Sequence, residues 1–318
     1  MLLGDNPADP RPRLDTPASV LYATPGELAG ALPGADVLFV WEFTVGDALH
    51  QAWPAADALR WVHTSSAGVD RLTFPEMVAS DVVLTNSRGV FDAPIAEYVL
   101  AMVLAFAKDL PGTLRQQNDR EWRHRETETI AGKRAVVVGG GPIGAATSAL
   151  LNAAGLRSHL VGRTARPGVH GIEELDGLLP DTDYLVLAAP LTEQTRGMVN
   201  ASLLARLPAR ARLVNVGRGP LVVESDLVEA LTEGRLAGAA LDVFEREPLP
   251  EDSPLWALPN VIVSPHMSGD AIGWRDSLAE LFTENLDRYR AGQTLRNVVD
   301  KHSGYVRSDT AEPAGSRA

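Results

Sequence analysis

Short apolar runs, closed by glycine, proline or small polar residues, alternate along this chain with longer stretches whose apolar positions fall at helical spacing. The runs at 19–23, 37–40, 61–63 and 82–85 come first, followed by 135–138, 158–161, 184–187, 213–216, 239–243 and 261–264. Strand and helix signals that alternate in this way predict an α/β architecture with doubly wound parallel sheets. Two helix-like stretches stand out by length, 93–108 and 271–291, and they flank the second set of runs. Two parallel-sheet domains are therefore expected: residues 93–271 form a central one, and residues 1–92 with 272–307 form a discontinuous one. The tail, 308–318, is rich in small residues, lacks periodicity and is expected to be disordered.

The stretch Val136 to Gly144 reads V-V-V-G-G-G-P-I-G and joins a β-branched strand to a glycine-rich turn and then to a helix rich in Ala and Leu. Strand, tight turn and helix N-terminus in that order make the dinucleotide-binding Rossmann arrangement. In it Gly139 permits the turn out of the strand, Gly141 lets the backbone approach a pyrophosphate, and Gly144 lets the helix pack near the sheet. Pro142 and Ile143 count with them as cofactor-binding residues, because the first turn of the helix points free N–H groups at the phosphates.

At 318 residues the chain can bury two separate cores. A formal net charge of −12, without any basic stripe, excludes a nucleic-acid partner. With no cysteine there are no disulfides, no thiol catalysis and no thiolate ligands, and no metal site is expected. No apolar run reaches the roughly eighteen residues of a membrane span; the longest, 96–107, is broken by Glu97 and reads as a buried helix. No basic segment followed by an apolar stretch opens the chain, which predicts a cytoplasmic protein.

A fold that binds NAD usually ends its second strand, about twenty residues past the first glycine, with an acid that takes the ribose hydroxyls. Between Ala145 and Ile172 there is no Asp or Glu. The acidic slot falls near Gly162, followed by Arg163, Thr164 and, slightly later, Arg166. Arginine grips phosphate through paired, charge-assisted hydrogen bonds, so Arg163, Thr164 and Arg166 are expected to take the 2′-phosphate of NADP, with NAD as the weaker alternative. A solvated basic loop is the competing reading.

Three further segments place a reactive side chain just past a predicted strand end: N-V-G-R-G at 215–219, L-D-V-F-E-R-E-P at 241–248 and S-P-H-M-S-G at 264–269. Together with A-A-P-L-T-E-Q-T-R-G at 188–197, G-R-L-A-G-A-A-L-D-V-F-E at 234–245, S-S-A-G-V-D at 65–70 and N-V-V-D at 297–300, they make the chain resemble the D-isomer-specific 2-hydroxyacid dehydrogenase family. The family includes glyoxylate and hydroxypyruvate reductases, and the resemblance covers nearly the whole chain apart from its ends. It implies a central Rossmann nucleotide-binding domain, a discontinuous flavodoxin-like substrate domain, and NAD(P)-dependent hydride transfer to the C2 carbonyl of a small 2-oxo acid. It also implies a homodimer joined through the nucleotide domain, for which 108–125 with Trp122 is the candidate arm. The implied catalytic triad is Arg218, Glu247 and His266. Implied cofactor contacts come from Ala189, Pro190, Thr195, Val216, Gly217, Asp242 and Ser268, with Asp242 on the nicotinamide carboxamide. Implied contacts to the substrate carboxylate come from the backbone N–H groups of Ala67, Gly68 and Val69, and from Arg218.

The chemistry of such a triad agrees with the reaction. A developing alkoxide needs a proton, which histidine supplies near neutral pH; a carboxylate beside the ring orients it and favours the imidazolium form; a guanidinium polarises the carbonyl. Each residue also has an ordinary reading as a turn or surface side chain. Glu245 is the rival carboxylate, although the family pattern puts the acid immediately before proline. Trp41 and Phe43, after the second predicted strand, shape a pocket for an apolar or aromatic 2-oxo acid, fill it so that only a glyoxylate-sized substrate enters, or simply pack the core. His63 and His159 are expected to be structural or solvated. Phosphite or formate dehydrogenases of the same architecture, and a nucleotide-sensing corepressor that binds peptide motifs, are the alternative functions. Glu247, where formate dehydrogenases typically pair a glutamine with the histidine, weighs against formate, and the lack of a long interaction tail weighs against the corepressor; phosphite oxidation stays open.

Overall fold

The computed structural model describes residues 1, 12, 14, 16–42 and 46–306. Phe43 and the tail expected to be disordered lie outside the described residues. In chain order the elements are α1 (Leu28–Ala31), β1 (Val37–Val40), α2 (Gly46–Ala52), β2 (Trp61–Thr64), α3 (Pro75–Ala79), β3 (Val83–Thr85), α4 (Asp92–Ala107) and α5 (Leu110–Asp119). There follow β4 (Arg134–Val138), α6 (Pro142–Ala153), β5 (Arg157–Gly162), β6 (His170–Gly171), α7 (Leu175–Leu178), β7 (Tyr184–Leu187), α8 (Ala201–Leu204), β8 (Arg212–Asn215), α9 (Glu224–Thr232), β9 (Gly238–Leu241), β10 (Val261–Val263), α10 (Trp274–Arg290), β11 (Val299–Asp300) and β12 (Tyr305–Val306). The chain divides into two compact units, Met1–Val90 with Ile272–Ala318, and Phe91–Ala271. Both are α/β with parallel sheets, the expected class.

In the discontinuous unit β1, β2 and β3 pair in parallel and in sequence order. Both faces of this sheet are covered, which is why β1 reads as an unbroken apolar run and the polar His63, Thr64 and Thr85 of β2 and β3 are buried as well. On one face Leu38, Val40, Val62 and Leu84 pack with Leu28, Leu49 and Met77 from α1, α2 and α3. On the other, Phe282 of α10 stacks on Phe39 and Trp61, with ring centroids 4.2 and 5.3 Å apart. After α10 the chain returns to β3 through an antiparallel bridge between Thr85 and Val298. Lys301 Nζ then donates to the carbonyls of Met77, Ser80 and Val82 at 2.6–3.0 Å, tying this end to the turn after α3. The run at 19–23 is not a strand beyond one bridge residue, Ala23, whose N–H donates to Met1 O.

The central unit carries a seven-stranded parallel sheet in the order β10-β9-β8-β7-β4-β5-β6. From β4 the chain first builds outward to β5 and β6 and then returns to place β7 on the other side of β4. This reversal is the topological switch point of a Rossmann sheet. The four residues of β7 and Ala135 to Val137 of β4 are completely buried, as two covered faces require.

His63, on β2, is fully buried between Phe39, Trp61 and Phe282, with Nδ1 2.7 Å from Thr85 Oγ1 and Nε2 3.4 Å from Ser87 Oγ. Burial pushes its pKa down from 6.5 to about 3. The folded ring stays neutral while the unfolded chain takes up a proton near 6.5, so this contribution to stability is complete above 6.5 and is lost as the pH falls toward 3. Urea unfolding followed from pH 7 to 4.5 is expected to show falling stability, with a shallower fall in His63→Asn; equal slopes in the two proteins would remove His63 as a cause.

Candidate active site

Because all seven strands of the central unit run parallel, their C-terminal ends and the loops that follow share one edge, where ligands bind in open α/β sheets. The glycine turn follows β4 at the switch point. Gly139 has φ of 131° and abuts Ala188, so a Cβ there would overlap the Ala188 carbonyl. A Cβ on Gly144 would overlap the carbonyl of Gly139; α6 thus rests directly on the first glycine. Gly141 differs from both. Its φ of −80° suits any residue, and a Cβ built on it meets no protein atom within 4 Å. Neither backbone nor packing asks for glycine at 141, yet a side chain would project in front of the α6 N-terminus, whose first residues are the half-buried Pro142 and Ile143. A cradle of this shape fits a dinucleotide pyrophosphate.

After β5 the chain makes a tight hairpin in which the N–H groups of Arg166 and Val169 each donate to the other's carbonyl, at 3.0 and 2.8 Å, around Pro167 and Gly168. The hairpin brings Arg166 back across the end of β5, where its guanidinium donates to Gly140 O at 2.5 Å and lies against Gly162. Arg163 and Thr164 are exposed in the same loop. In the loop after β7, Ala189 is buried, and Thr195 Oγ1 donates to Pro190 O at 2.7 Å and accepts from Thr192 N–H at 2.8 Å, which fixes the loop's path.

Past β8 the buried Asn215 clamps the next turn: its Oδ1 accepts from Gly217 N–H and its Nδ2 donates to Arg218 O, both at 3.1 Å, beside the buried Val216. Arg218 is half-buried and donates to Gly217 O at 3.0 Å. Gly219 crosses so close to Phe244 that any Cβ would overlap its backbone, which sets the turn bearing Arg218 against the loop bearing Glu247. Glu247 Oε1 accepts from Phe244 N–H at 3.0 Å, and Oε2 lies 2.8 Å from His266 Nδ1. Their side chains are only 24% and 28% exposed. Burial alone would raise the Glu247 pKa; the His266 hydrogen bond and charge, the Phe244 N–H and the Arg218 charge together outweigh it and hold the carboxyl below its ordinary range.

His266 has φ of 52°, a left-handed conformation that costs a non-glycine residue on the order of 1–3 kcal/mol unless its surroundings enforce it. The enforcement comes from Asp242, which is fully buried. Its backbone carbonyl accepts from His266 N–H at 2.8 Å. Its Oδ1 accepts from Ser264 Oγ at 2.5 Å and Met267 N–H at 2.9 Å, and its Oδ2 accepts from Ser268 N–H at 2.9 Å. Behind Ser264, Tyr98 of α4 lies 2.6 Å away and donates to its Oγ. Burial, with the Asp242 charge adding to it, pushes the Tyr98 hydroxyl up to about 12, so it remains a donor.

The central unit therefore brings Arg218, Glu247 and His266 together, with Asp242 and Ser268 beneath them. Glu245 stands elsewhere: it accepts from Glu224 N–H at 3.0 Å and caps the start of α9. Trp41, in the discontinuous unit, packs edge-on against Phe39 at 5.5 Å and is 8% exposed. Ala67, Gly68 and Val69 follow β2 in that unit. The sequence reading missed Tyr98, Ser264 and Asn215. Ser264 and Asn215 stood inside segments singled out for their neighbours, whereas a tyrosine on an apolar helix carries no signal. Among the described residues no three His, Asp or Glu side chains are grouped to hold a metal ion, and no helix is long and apolar enough to cross a membrane.

A family profile described as D-isomer specific 2-hydroxyacid dehydrogenase, NAD binding domain, matches residues 100–268. The chain is 35% identical over 247 residues to glyoxylate/hydroxypyruvate reductase A of Arabidopsis thaliana, covering 76% of this chain and 78% of that one. Among solved structures it is similar to a D-isomer specific 2-hydroxyacid dehydrogenase of Xanthobacter autotrophicus in complex with NADPH and MES, with a TM-score of 0.75, 36% identity, and coverage of 88% of this chain and 94% of that one. It is also similar to an NADPH-dependent glyoxylate/hydroxypyruvate reductase of Sinorhizobium meliloti in complex with NADP and sulfate, with a TM-score of 0.78, 31% identity, and coverage of 89% and 92%.

The contrast between two glycines is testable by thermal unfolding. Gly144→Ala is expected to destabilise by about 1–3 kcal/mol through overpacking against Gly139, while Gly141→Ala stays within about 0.5 kcal/mol of the parent. Equal melting temperatures for the two variants would contradict the packing described.

Proposed function

The chain belongs to the D-isomer specific 2-hydroxyacid dehydrogenase family, and from that premise we propose that it reduces the C2 carbonyl of a small 2-oxo acid, of the glyoxylate or hydroxypyruvate kind, with NADPH preferred over NADH. The observation that carries this reading is the His266–Glu247 pair, 2.8 Å apart beside Arg218, on the sheet edge that also bears the glycine turn. Bound NADPH supplies the hydride. Glu247 holds Nδ1 of His266 and so orients the ring, and Nε2 would hand a proton to the oxygen that becomes the hydroxyl. Arg218 sets a fixed positive charge against the carbonyl and carboxylate of the substrate. The amides of Ala67, Gly68 and Val69 are assigned to the substrate carboxylate.

The Gly139–Gly144 turn and the α6 N-terminus would hold the pyrophosphate; Asp242, which the resemblance assigned to the nicotinamide carboxamide, is enclosed by Ser264, Met267 and Ser268 and would act by shaping the loop behind that group. Arg166, drawn across the end of β5 beside Gly140 and Gly162, supports a 2′-phosphate site shared with Arg163 and Thr164. The two solved relatives described above carry NADPH or NADP, which favours the same cofactor here. The family resemblance also supports a homodimer. Arg125 folds the segment after α5 back on itself through Asp109, Thr113 and Gln116, at 2.6–2.9 Å. Leu110, Leu114 and a wholly exposed Trp122 then face outward as an apolar surface for a second copy of the chain.

Oxidation of NADPH and NADH across glyoxylate, hydroxypyruvate, pyruvate and phenylpyruvate tests the reading directly. We expect turnover of a small 2-oxo acid, a loss of about 10²–10⁴-fold in kcat/KM for His266→Ala, and a rise in KM for NADPH but not for NADH in Arg166→Ala. Near-normal turnover by His266→Ala removes the proposed acid, and a parent preference for NADH removes the 2′-phosphate site. In light scattering the parent is expected to be a dimer and Trp122→Glu a monomer; a monomeric parent refutes the arm.

A further inference from the structure

The turn at 65–70 has an unusual division of labour between its carbonyls and its amides. Four successive carbonyls are held by the scaffold. Ser66 O accepts from Ser87 N–H at 3.0 Å, Ala67 O from Asn86 Nδ2 at 2.6 Å, Gly68 O from Ser66 Oγ at 2.5 Å, and Val69 O from Leu72 N–H at 2.8 Å. The N–H groups of Ala67, Gly68 and Val69 donate to no group among the described residues. A trans peptide is planar, with its carbonyl and the following N–H pointing in opposite directions. Holding the carbonyls of 66, 67 and 68 toward the scaffold therefore aims the N–H groups of 67, 68 and 69 away from it. Three consecutive amides presented this way form a nest for an anionic oxygen.

Two of the three anchors are backbone or lie within the turn, and one is the side chain of a distant residue. Asn86, 4% exposed just after β3, reaches Ala67 with Nδ2. Its Oδ1 accepts from Arg88 N–H, and its own backbone is gripped by Asn297, which is left-handed at φ of 58°. Asn86 N–H donates to Asn297 O at 3.3 Å, and Asn297 Nδ2 donates to Asn86 O at 3.2 Å and Arg88 O at 2.9 Å. Asn297 is in turn placed by the fully buried Asn285 of α10, which bonds both the N–H and the carbonyl of Arg296. We propose that Asn86 is a positioning residue for substrate binding: by fixing the Ala67 carbonyl it aims the Gly68 N–H at the substrate carboxylate, and the returning C-terminal segment sets Asn86 through Asn297. The inference rests on the assignment of 67–69 to that carboxylate. An oriented amide acts on the carboxylate in both ground and transition states, so its loss weakens binding rather than the hydride step.

The test compares Asn86→Ala and Ser66→Ala with the parent in KM and kcat for glyoxylate, in Ki for oxamate, in the NADPH dissociation constant by fluorescence, and in melting temperature. We expect KM and Ki to rise together by about 10- to 100-fold, as loss of a hydrogen bond to a charged group implies, with kcat changed less than about threefold and NADPH binding unchanged. Ser66→Ala, which removes the Gly68 anchor, reports on the nest even if Asn86→Ala fails to fold. A fall in kcat at constant KM, or oxamate binding equal to the parent in a folded variant, overturns the positioning role and leaves the carboxylate assignment standing. A parent that binds neither glyoxylate nor oxamate overturns the assignment itself, and the positioning role with it.

Discussion

Parallel pairing of adjacent strands, about 4.8 Å apart, is the constraint from which the chemistry of the central unit follows. It puts every strand's C-terminal end on one edge and forces each chain exit to pass its neighbours almost in contact. Two glycines of the site stand where those exits touch. Gly139 leaves β4 against Ala188, which leaves the adjacent β7; Gly219 follows β8 and meets Phe244, which follows the adjacent β9. Side chains would push these loops apart, and with them Arg218 from Glu247. Sheet packing and the assembly of the reactive groups are the same requirement seen at two scales.

Two carboxylates in the site illustrate how burial divides roles. Asp242 is fully enclosed, and an enclosed carboxylate is tolerated only when hydrogen bonds replace its water. Ser264, Met267 and Ser268 supply those bonds from a single short loop, so the loop cannot relax without stranding the charge. The left-handed backbone of His266, between these donors, is the geometric cost of that closure. Tyr98 secures the arrangement from α4, as a donor whose proton burial keeps in place. Glu247 keeps about a quarter of its side-chain surface in solvent and spends its bonds on His266 and Phe244. The buried acid sets the shape of the loop; the partly hydrated one acts on the imidazole.

Most of this was legible in the sequence wherever a local rule is strict. The strands of the central sheet are covered on both faces and read as apolar runs, and the glycine turn after β4 and the reactive segments after β8, β9 and β10 were visible as motifs. What escaped lacked local character. Strand β6 is two residues long and has no alternation to read, and α5 is polar overall with a proline and a glycine in its first turn, so it does not stand out as a core helix. The run at 19–23 has a strand's composition but only one bridge residue, because a strand is defined by its partner. Tyr98, Asn215 and Asn86 act through partners far along the chain or through backbone atoms, and residue type alone does not disclose either. Glu245 and Glu247, two residues apart, were separated on the family pattern; the structure gives the physical distinction, one capping α9 and the other meeting His266.

The chain carries a net charge of −12, yet the proposed substrate and cofactor are both anions. The two facts are compatible because they act over different distances. Net charge is screened within about 8 Å at physiological ionic strength, while oriented amides and guanidinium groups act at contact. The α6 N-terminus and the turn at 67–69 offer donors that carry no net charge and do not titrate. Charge is reserved for Arg166, drawn in by Gly140, and Arg218, set beside Glu247. Large polyanions bind through extended basic surfaces, which a net charge of −12 does not favour. A small carboxylate or a dinucleotide gains from donors fixed in place, and the backbone hydrogen bonds behind those donors decide how firmly they are fixed.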